Sequence, residues 1–288
     1  MMQLVINGLA MGCIYALVAL GFLLIYQAVG ALNFAQGELV MLGGFLGISL
    51  ALGLKLPLPV AFLLTIALMA GIGWIFQRVA YYPLRDRPFM AVIISTVGVG
   101  IALRNGAQLI WGPLPLSFPS LVGTEPIRFA GNSVLPQHLF IIAVTLVLLA
   151  AQYFFFTRTA VGHQLQATAQ DAETARLMGI PVGQMIAVTF MLSAAMAGVA
   201  GLLLAPIFFV TTDMGGMVML KAFVASIIGG FGSIPGAIMG ALFVGVMETF
   251  VAAYVSSAYK DAFAFLILIL VLFVRPRGLF GEKISEKV

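Results

Sequence analysis

Residues Thr157 to Gln184 read TRTAVGHQLQATAQDAETARLMGIPVGQ and form the one long polar segment in the second half of an otherwise apolar chain. Apolar runs flank this segment, Leu139 to Phe156 before it and Met185 to Ala205 after it. Each run is close to the roughly 20 residues that a helix needs to cross a bilayer. This pattern predicts two membrane spans joined by a segment that lies at one membrane surface.

The polar segment carries the local signals of one short helix. Asp171 can cap its N-terminus, Gly179 can end it in a left-handed conformation, and Pro181 prevents it from resuming. The predicted helix, Ala172 to Met178, has about two turns and is marginal in water on its own. We expect it to dock on another protein at the membrane surface. The alternative is a solvated connecting loop.

The composition indicates a membrane protein throughout. Hydrophobic residues make up 62% of the chain and charged residues 8%, and the mean hydropathy is +1.14. Soluble proteins average roughly 45–50% apolar and 25% charged residues. The apolar runs lack the alternation typical of a membrane β-barrel. We therefore predict an all-α polytopic transmembrane bundle, a single domain over residues 1–288, with about eight or nine membrane segments.

Two interruptions divide the apolar runs. Gly30 to Glu38 separates the first two spans, and polar backbone at that point must be buried in protein or face water. Met217 to Ile228 is too short to cross alone and leads into the glycine-rich stretch Gly229 to Gly236. Broken or re-entrant helices of this kind line substrate paths in transporters. The candidates for a translocation path or gate are Asn33, Gly37, Glu38, Gly229, Gly230, Gly232, Gly236 and Glu248.

These candidates also have structural explanations. Gly232, Gly236 and Gly240 recur at four-residue spacing, which more commonly indicates close helix packing than a hinge. Ionisable residues in apolar spans are functional candidates by default, but each can also sit near a helix end and reach interfacial water. For Glu38 and Glu248 both explanations stay open. The structural explanation is preferred for Arg104, Asp213 and Lys221.

The basic residues predict the orientation of the chain. They group around Arg78 to Arg87, within the central polar segment, and after Arg275, which places all three regions in the cytoplasm. Residues 111–137 are then outside. Fewer basic residues are assigned to the outer side, namely Lys55, Arg128, Lys221 and Lys260. If residues 33–38 form a true turn, the N-terminus is outside as well. The net charge of +4 is explained by this asymmetry and does not imply a nucleic-acid partner.

The sequence offers little catalytic chemistry. It contains no Gly-x-x-x-x-Gly-Lys-Ser/Thr motif, so we predict no phosphate-binding loop in this chain. His138 and His163 are the two histidines and Cys13 is the one cysteine, which gives poor support to a metal site or an intramembrane hydrolase. We expect no catalytic residue, no metal and no cofactor.

Three stretches resemble the integral-membrane permease subunits of ABC importers, specifically the LivH type of the branched-chain amino acid systems. Residues 24–38 and 220–236 are similar to the first and the C-terminal signatures of that subtype. Residues 169–181 are similar to the cytoplasmic coupling loop that such permeases insert into their ATPase subunit. One departure is Gln36, where many members carry histidine.

The resemblance implies partners that the sequence lacks. These are a second homologous permease, two ATP-binding cassette subunits that bind the ATP, and an extracytoplasmic substrate-binding protein, assembled in the bacterial cytoplasmic membrane. Residues 157–184 would then be a cytoplasmic coupling segment, in which charges orient docking and small residues allow close approach. The implied coupling residues are Asp171, Ala172, Glu173, Ala175, Arg176 and Gly179.

Other functions share some of these features. Neighbouring permease subtypes import urea, short amides or other amino acids. A different class is an ion-coupled secondary carrier or channel that works without an ATPase.

Overall fold

The computed structural model describes residues 1–123, 125–129, 132–276 and 278–280. Within these residues the chain forms eleven α-helices and one antiparallel β-hairpin, so the predicted all-α bundle is confirmed. The helices are α1 (Met2–Val29), α2 (Gln36–Ile48), α3 (Leu58–Phe76), α4 (Phe89–Trp111), α5 (Pro136–Arg158), α6 (Ala160–Gln170), α7 (Ala172–Leu177), α8 (Val182–Leu204), α9 (Met214–Gly229), α10 (Ile234–Tyr254) and α11 (Lys260–Val274). The hairpin, which was not predicted, pairs β1 (Ile127–Phe129) with β2 (Asn132–Val134).

Seven helical segments are long and apolar enough to cross a membrane. They are α1, α2 with its π-helical extension Ser49–Gly53, α3 with its π- and 3-10-helical extensions to Leu84, α4, α5, α8 and α10. The shorter apolar helix α9 brings the membrane segments among the described residues to about eight, which is approximately consistent with the predicted eight or nine.

Helix α1 runs through the centre of the bundle, and all of its residues from Cys13 to Ile25 are buried. Its glycines allow the backbone of α10 to approach closely. A β-carbon at Gly8 or Gly12 would meet the backbone of Val246 or Leu242. Small residues at four-residue spacing are typical of such contacts between membrane helices.

The two ends of the bundle can be assigned to opposite membrane faces. The C-terminal end of α1, at Gln27 and Ala28, lines the same cavities as α6 and α7. The basic residues predict that α6 and α7 face the cytoplasm, and on that prediction α1 ends there and its N-terminus lies outside. Helix α2 then returns towards the outer face, since Gly43 and Gly47 pack beside Gly198 and Leu202 near the end of α8.

The first four helices and the last four pack on one another in equivalent ways. Helix α1 packs on α10 as α8 packs on α3, and α1 packs on α9 as α8 packs on α2. The short helices α2 and α9 begin next to each other, with Gly37 against Gly215, and run towards opposite faces of the membrane. This pattern of contacts is the one expected of an inverted repeat.

Candidate functional site

Residues 157–184, which the sequence predicts to face the cytoplasm, contain two short helices and not the single one predicted. Helix α5 extends to Arg158, and Thr159 caps α6 by accepting a hydrogen bond from the Gly162 amide at 3.0 Å. Helix α6 buries Gly162, Leu165 and Thr168 on one face. Two sequence signals favour this helix, namely the capping residue Thr159 and the three-residue spacing of the buried positions. The polar residues between those positions interrupt the apolar pattern, so the sequence analysis did not predict the helix.

The predicted capped helix is confirmed as α7. The Asp171 carboxylate accepts hydrogen bonds from the backbone amides of Glu173 and Thr174 at 3.0 and 3.1 Å, and the Thr174 hydroxyl donates to it at 2.6 Å. Gly179 adopts a positive φ of 82°, which a residue with a side chain rarely adopts. The helix ends at Leu177, one residue earlier than predicted.

The exposed face of α7 differs from the one expected. Ala175 is buried, with an exposed fraction of 3%, so it faces the interior of its own chain and not an outside partner. Leu177 and Met178, which the sequence analysis did not single out, are 88% and 79% exposed. Of the other predicted coupling residues, Ala172 is half-buried, and the exposed ones are Asp171, Glu173, Arg176 and Gly179.

A polar cleft lies between α7 and the ends of α1 and α3. It has a volume of about 720 Å³, and its charged lining residues are Arg85, Asp86 and Arg176. Because the cleft separates α7 from the neighbouring helix ends, α7 has space on one side. That arrangement suits an element that moves relative to the bundle.

The break between α1 and α2 is buried and internally hydrogen-bonded, as polar backbone inside a membrane requires. Asn33 and Gln36 are 1% and 0% exposed. The side-chain oxygen Oε1 of Gln36 accepts a hydrogen bond from the Ser193 hydroxyl at 3.1 Å. The backbone amide of Phe34 donates to the Thr96 hydroxyl at 3.2 Å. Side chains of α4 and α8 therefore hold the start of α2 in place. Sequence reasoning noted Gln36 but not its partners.

The start of α2 is also in close contact with α9. A β-carbon at Gly37 would meet the carbonyl group of Gly215, and one at Gly215 would meet the carbonyl group of Gly37. Both positions require glycine, because any side chain would force the two backbones apart. Glu38 is half-buried and lies beside Gly100 of α4.

The predicted glycine-rich stretch forms a tight turn between α9 and α10 at the cytoplasmic side. Gly230 and Gly232 have positive φ angles of 116° and 101°. Gly229 and Gly236 pack against each other, so at Gly236 the four-residue spacing reflects close packing. The Gln27 amide of α1 donates a hydrogen bond to the Gly232 carbonyl at 2.7 Å. These contacts tie the turn to the end of α1.

Glu248 lies in a buried cluster of charged groups. Its carboxylate accepts a hydrogen bond from the Tyr15 hydroxyl at 2.7 Å and forms an ion pair with Lys221. Lys221 also pairs with Asp261 at 2.8 Å, and Lys260 lies 3.6 Å from Glu248. Glu248 and Lys221 are 6% and 7% exposed. The cluster joins α1, α9, α10 and α11.

One expectation about a charged residue needs correction. Lys221 does not lie in an outer loop or near a helix end, because it sits in the middle of α9 with buried partners on other helices. Arg104 and Asp213 are 48% and 69% exposed, and Asp213 lies at the start of α9, as expected. They also form an ion pair between α4 and α9 that the sequence does not predict.

These features define the class of protein. A bundle of apolar helices whose two halves pack as an inverted repeat, with a short capped helix between two of its membrane-length helices, is typical of a membrane transport protein.

Comparison with known proteins narrows this class. Residues 4–272 match the family described as "Branched-chain amino acid transport system / permease component". The chain is 36% identical to the high-affinity branched-chain amino acid transport system permease protein LivH of Salmonella typhimurium, over 100% of this chain and 97% of the relative. It is also 36% identical to the corresponding protein BraD of Pseudomonas aeruginosa, over 100% of this chain and 98% of the relative. The chain therefore belongs to the branched-chain amino acid transport permease family.

A solved structure supports the fold alone. PsaBC from Streptococcus pneumoniae, in complex with Fab, matches with a TM-score of 0.51 at 16% sequence identity. The match covers 94% of this chain and 91% of that chain.

Proposed function

We propose that this chain is a transmembrane permease subunit of an ABC importer that carries branched-chain amino acids across the bacterial cytoplasmic membrane. The strongest support is the full-length likeness, at 36% identity, to two permeases named for branched-chain amino acid transport. An extracytoplasmic binding protein delivers the substrate, and a second homologous permease completes the path. Two partner ATPases bind and hydrolyse the ATP, so this chain needs no cofactor and is not itself an enzyme.

Helix α7 is the element best placed to receive the movement of an ATPase. It presents Leu177 and Met178 as exposed apolar contacts and Glu173 and Arg176 as exposed charges. Apolar residues ringed by charges are typical of docking surfaces, in which the apolar centre contributes affinity and the charges set orientation. Ala175 packs into the chain behind this surface. Movement of α7 would therefore be transmitted to the helices that it packs on.

The proposal is tested by uptake of radiolabelled leucine in cells that lack their own uptake systems and express this chain with its partner subunits. We expect saturable uptake that disappears when the ATPase is inactivated. Leu177→Asp should lower uptake by at least about tenfold, because it places a carboxylate in an apolar contact. His163→Ala, an exposed change on the neighbouring helix α6, is the matched control and should leave uptake unchanged.

Other outcomes would redirect the proposal. Leucine uptake that persists without any ATPase would indicate an ion-coupled carrier or channel. ATP-dependent uptake of urea or a short amide, with no uptake of leucine, would keep the importer class and change the substrate. Equal uptake by Leu177→Asp and wild type would remove α7 as the docking element.

A further inference from the structure

Two neighbouring cavities lie between α1, α5 and α8 in the cytoplasmic half of the bundle, and both are partly open to the surface along α5, where Tyr153 is 74% exposed. Their volumes are about 580 and 380 Å³, which is within the range of roughly 300–1,000 Å³ common for small-molecule sites. Leu24 and Gln152 line both of them. The larger cavity is also lined by α6 and α10, so it extends to the cytoplasmic segment.

Gln152 is the unusual residue in this lining. Both its side-chain oxygen and its side-chain nitrogen are buried, and neither has a hydrogen-bond partner among the described residues. Buried amides are normally paired, because leaving a donor and an acceptor without partners in an apolar region is costly. An unpaired amide shared by two cavities indicates that a polar ligand or water completes it.

The remaining lining restricts the charge of that ligand. No aspartate, glutamate, lysine or arginine lines either cavity among the described residues. A solute with a single net charge would lose its hydration there without gaining an opposite charge, whereas the two charges of a zwitterion partly compensate each other. The larger cavity is mainly apolar, with Leu20, Leu149 and Ile238 among its walls. It therefore suits a solute that is neutral overall and largely aliphatic.

An aliphatic amino acid meets each of these conditions. It is neutral overall as a zwitterion, its carboxylate can accept from the Gln152 amide nitrogen, and its ammonium group can donate to the Gln152 oxygen. Its side chain would contact the leucine and isoleucine walls. We propose that Gln152 positions an aliphatic amino acid in these cavities during translocation, an inference that rests on the function proposed above.

The position of the cavity connects this site to the coupling helix. Leu165, Gln166 and Ala169 of α6 line the larger cavity. Helix α6 ends at Gln170, and the next residue, Asp171, caps α7. Movement of α7 would therefore shift one wall of the cavity directly, and this would change the space available to the bound solute.

Leucine uptake by the assembled importer provides the first test. Gln152→Leu removes the amide and puts an apolar side chain of similar size in its place. We expect leucine uptake to fall by about tenfold or more, since hydrogen bonds to charged groups are among the strongest in proteins. Gln108→Leu, an exposed change on α4 that lines neither cavity, is the matched control and should retain wild-type uptake. Equal thermal midpoints of the two variants would show that the loss is not a folding defect.

Thiol labelling provides a second test that does not depend on transport. In a Cys13→Ala background, Leu149→Cys places a thiol in the wall of the larger cavity, and Ile94→Cys places one on the outer face of α4. We expect leucine to slow maleimide labelling at position 149 and not at position 94. Lysine and glutamate should give no protection at either position.

The possible results separate this inference from the proposed function. If the wild-type importer carries leucine while Gln152→Leu carries it equally well and leucine does not protect position 149, the inference is overturned and the function stands. If added phospholipid protects position 149 and leucine does not, the cavity is a lipid site and the inference is again overturned. If the wild-type importer carries no leucine, both fail.

Discussion

The buried pair of Lys221 and Glu248 gives the sharpest prediction about stability. The surrounding cluster holds two carboxylates and two ammonium groups, so it is neutral overall. Glu248→Met would leave Lys221 with Asp261 alone, in a position where its side chain is only 9% exposed. Removing one partner of a buried ion pair typically costs about 3–5 kcal/mol, because the remaining charge stays desolvated. We expect Glu248→Met and Lys221→Met each to lower the free energy of unfolding by about 3–5 kcal/mol.

The double variant distinguishes this explanation from a simple loss of packing. Replacing both members of a buried pair by apolar residues of similar size is often close to neutral. We therefore expect Lys221→Met/Glu248→Met to be more stable than either single variant, with a coupling energy of about 3 kcal/mol. The free energies of unfolding can be measured by circular dichroism in mixed detergent micelles with increasing dodecyl sulfate.

Two results would contradict this reasoning. Single variants within about 1 kcal/mol of wild type would mean that water reaches the pair and screens it. A double variant whose loss equals the sum of the two single losses would mean that the two side chains do not interact. Tyr15→Phe, which removes the phenol hydroxyl that donates to Glu248, should cost a smaller amount, about 1.5–3 kcal/mol.

Two glycines give further predictions, each with a matched control. Gly215→Ala should destabilise the chain by about 1–3 kcal/mol, because the new methyl group would meet the carbonyl of Gly37. The neighbouring Gly216→Ala has free space around the new methyl group and should be neutral or slightly stabilising. Thermal midpoints of the two proteins would show the difference. Gly179→Ala should weaken the end of α7 by about 1 kcal/mol, because φ is 82° there, and should lower uptake, while Gly183→Ala in the first turn of α8 should not change uptake.

The sequence was most informative where a structural signal is local. Asp171 and Gly179 predict a helix with both ends defined, because a capping carboxylate and a left-handed glycine act within a few residues. The break before α2 was also predictable, since the polar residues Asn33 and Gln36 interrupt an apolar run. Both features are confirmed without any knowledge of distant contacts.

Features that depend on distant partners could not be predicted in the same way. Tyr15 and Glu248 are 233 positions apart in the sequence, and only the packing of α1 on α10 brings them together. The distribution of basic residues places Lys221 in an outer loop. Its burial depends on ion-pair partners on other helices, which the local sequence does not reveal. The unpaired state of Gln152 and the inward orientation of Ala175 likewise depend on how α5 and α7 are placed in the bundle.

Helix α8 provides a continuous connection from α7 to α2 and α9. It begins at Val182, a few residues after α7, and at Ser193 its hydroxyl group holds Gln36 at the start of α2. The next residue of α2, Gly37, is in contact with α9 at Gly215. A shift of α8 would therefore act on α2 through the two hydrogen bonds between Ser193 and Gln36 and through the packing of Gly198 on Gly43, and on α9 through the contact of Gly37 with Gly215.

Ser193→Ala tests this connection because it removes the hydroxyl that donates to Gln36 and leaves α7 unchanged. We expect the assembled importer to keep its ATP hydrolysis while leucine uptake per ATP falls several-fold, since α7 would still dock but the start of α2 would be held to α8 by one hydrogen bond fewer. Ser226→Ala is the matched control, because that buried hydroxyl bonds only to the Ala222 carbonyl of its own helix. If ATP hydrolysis and uptake fall together in Ser193→Ala, the side chain supports the fold of α8. If neither falls, movement reaches α2 through the backbone contacts between α8 and the Gly43 region.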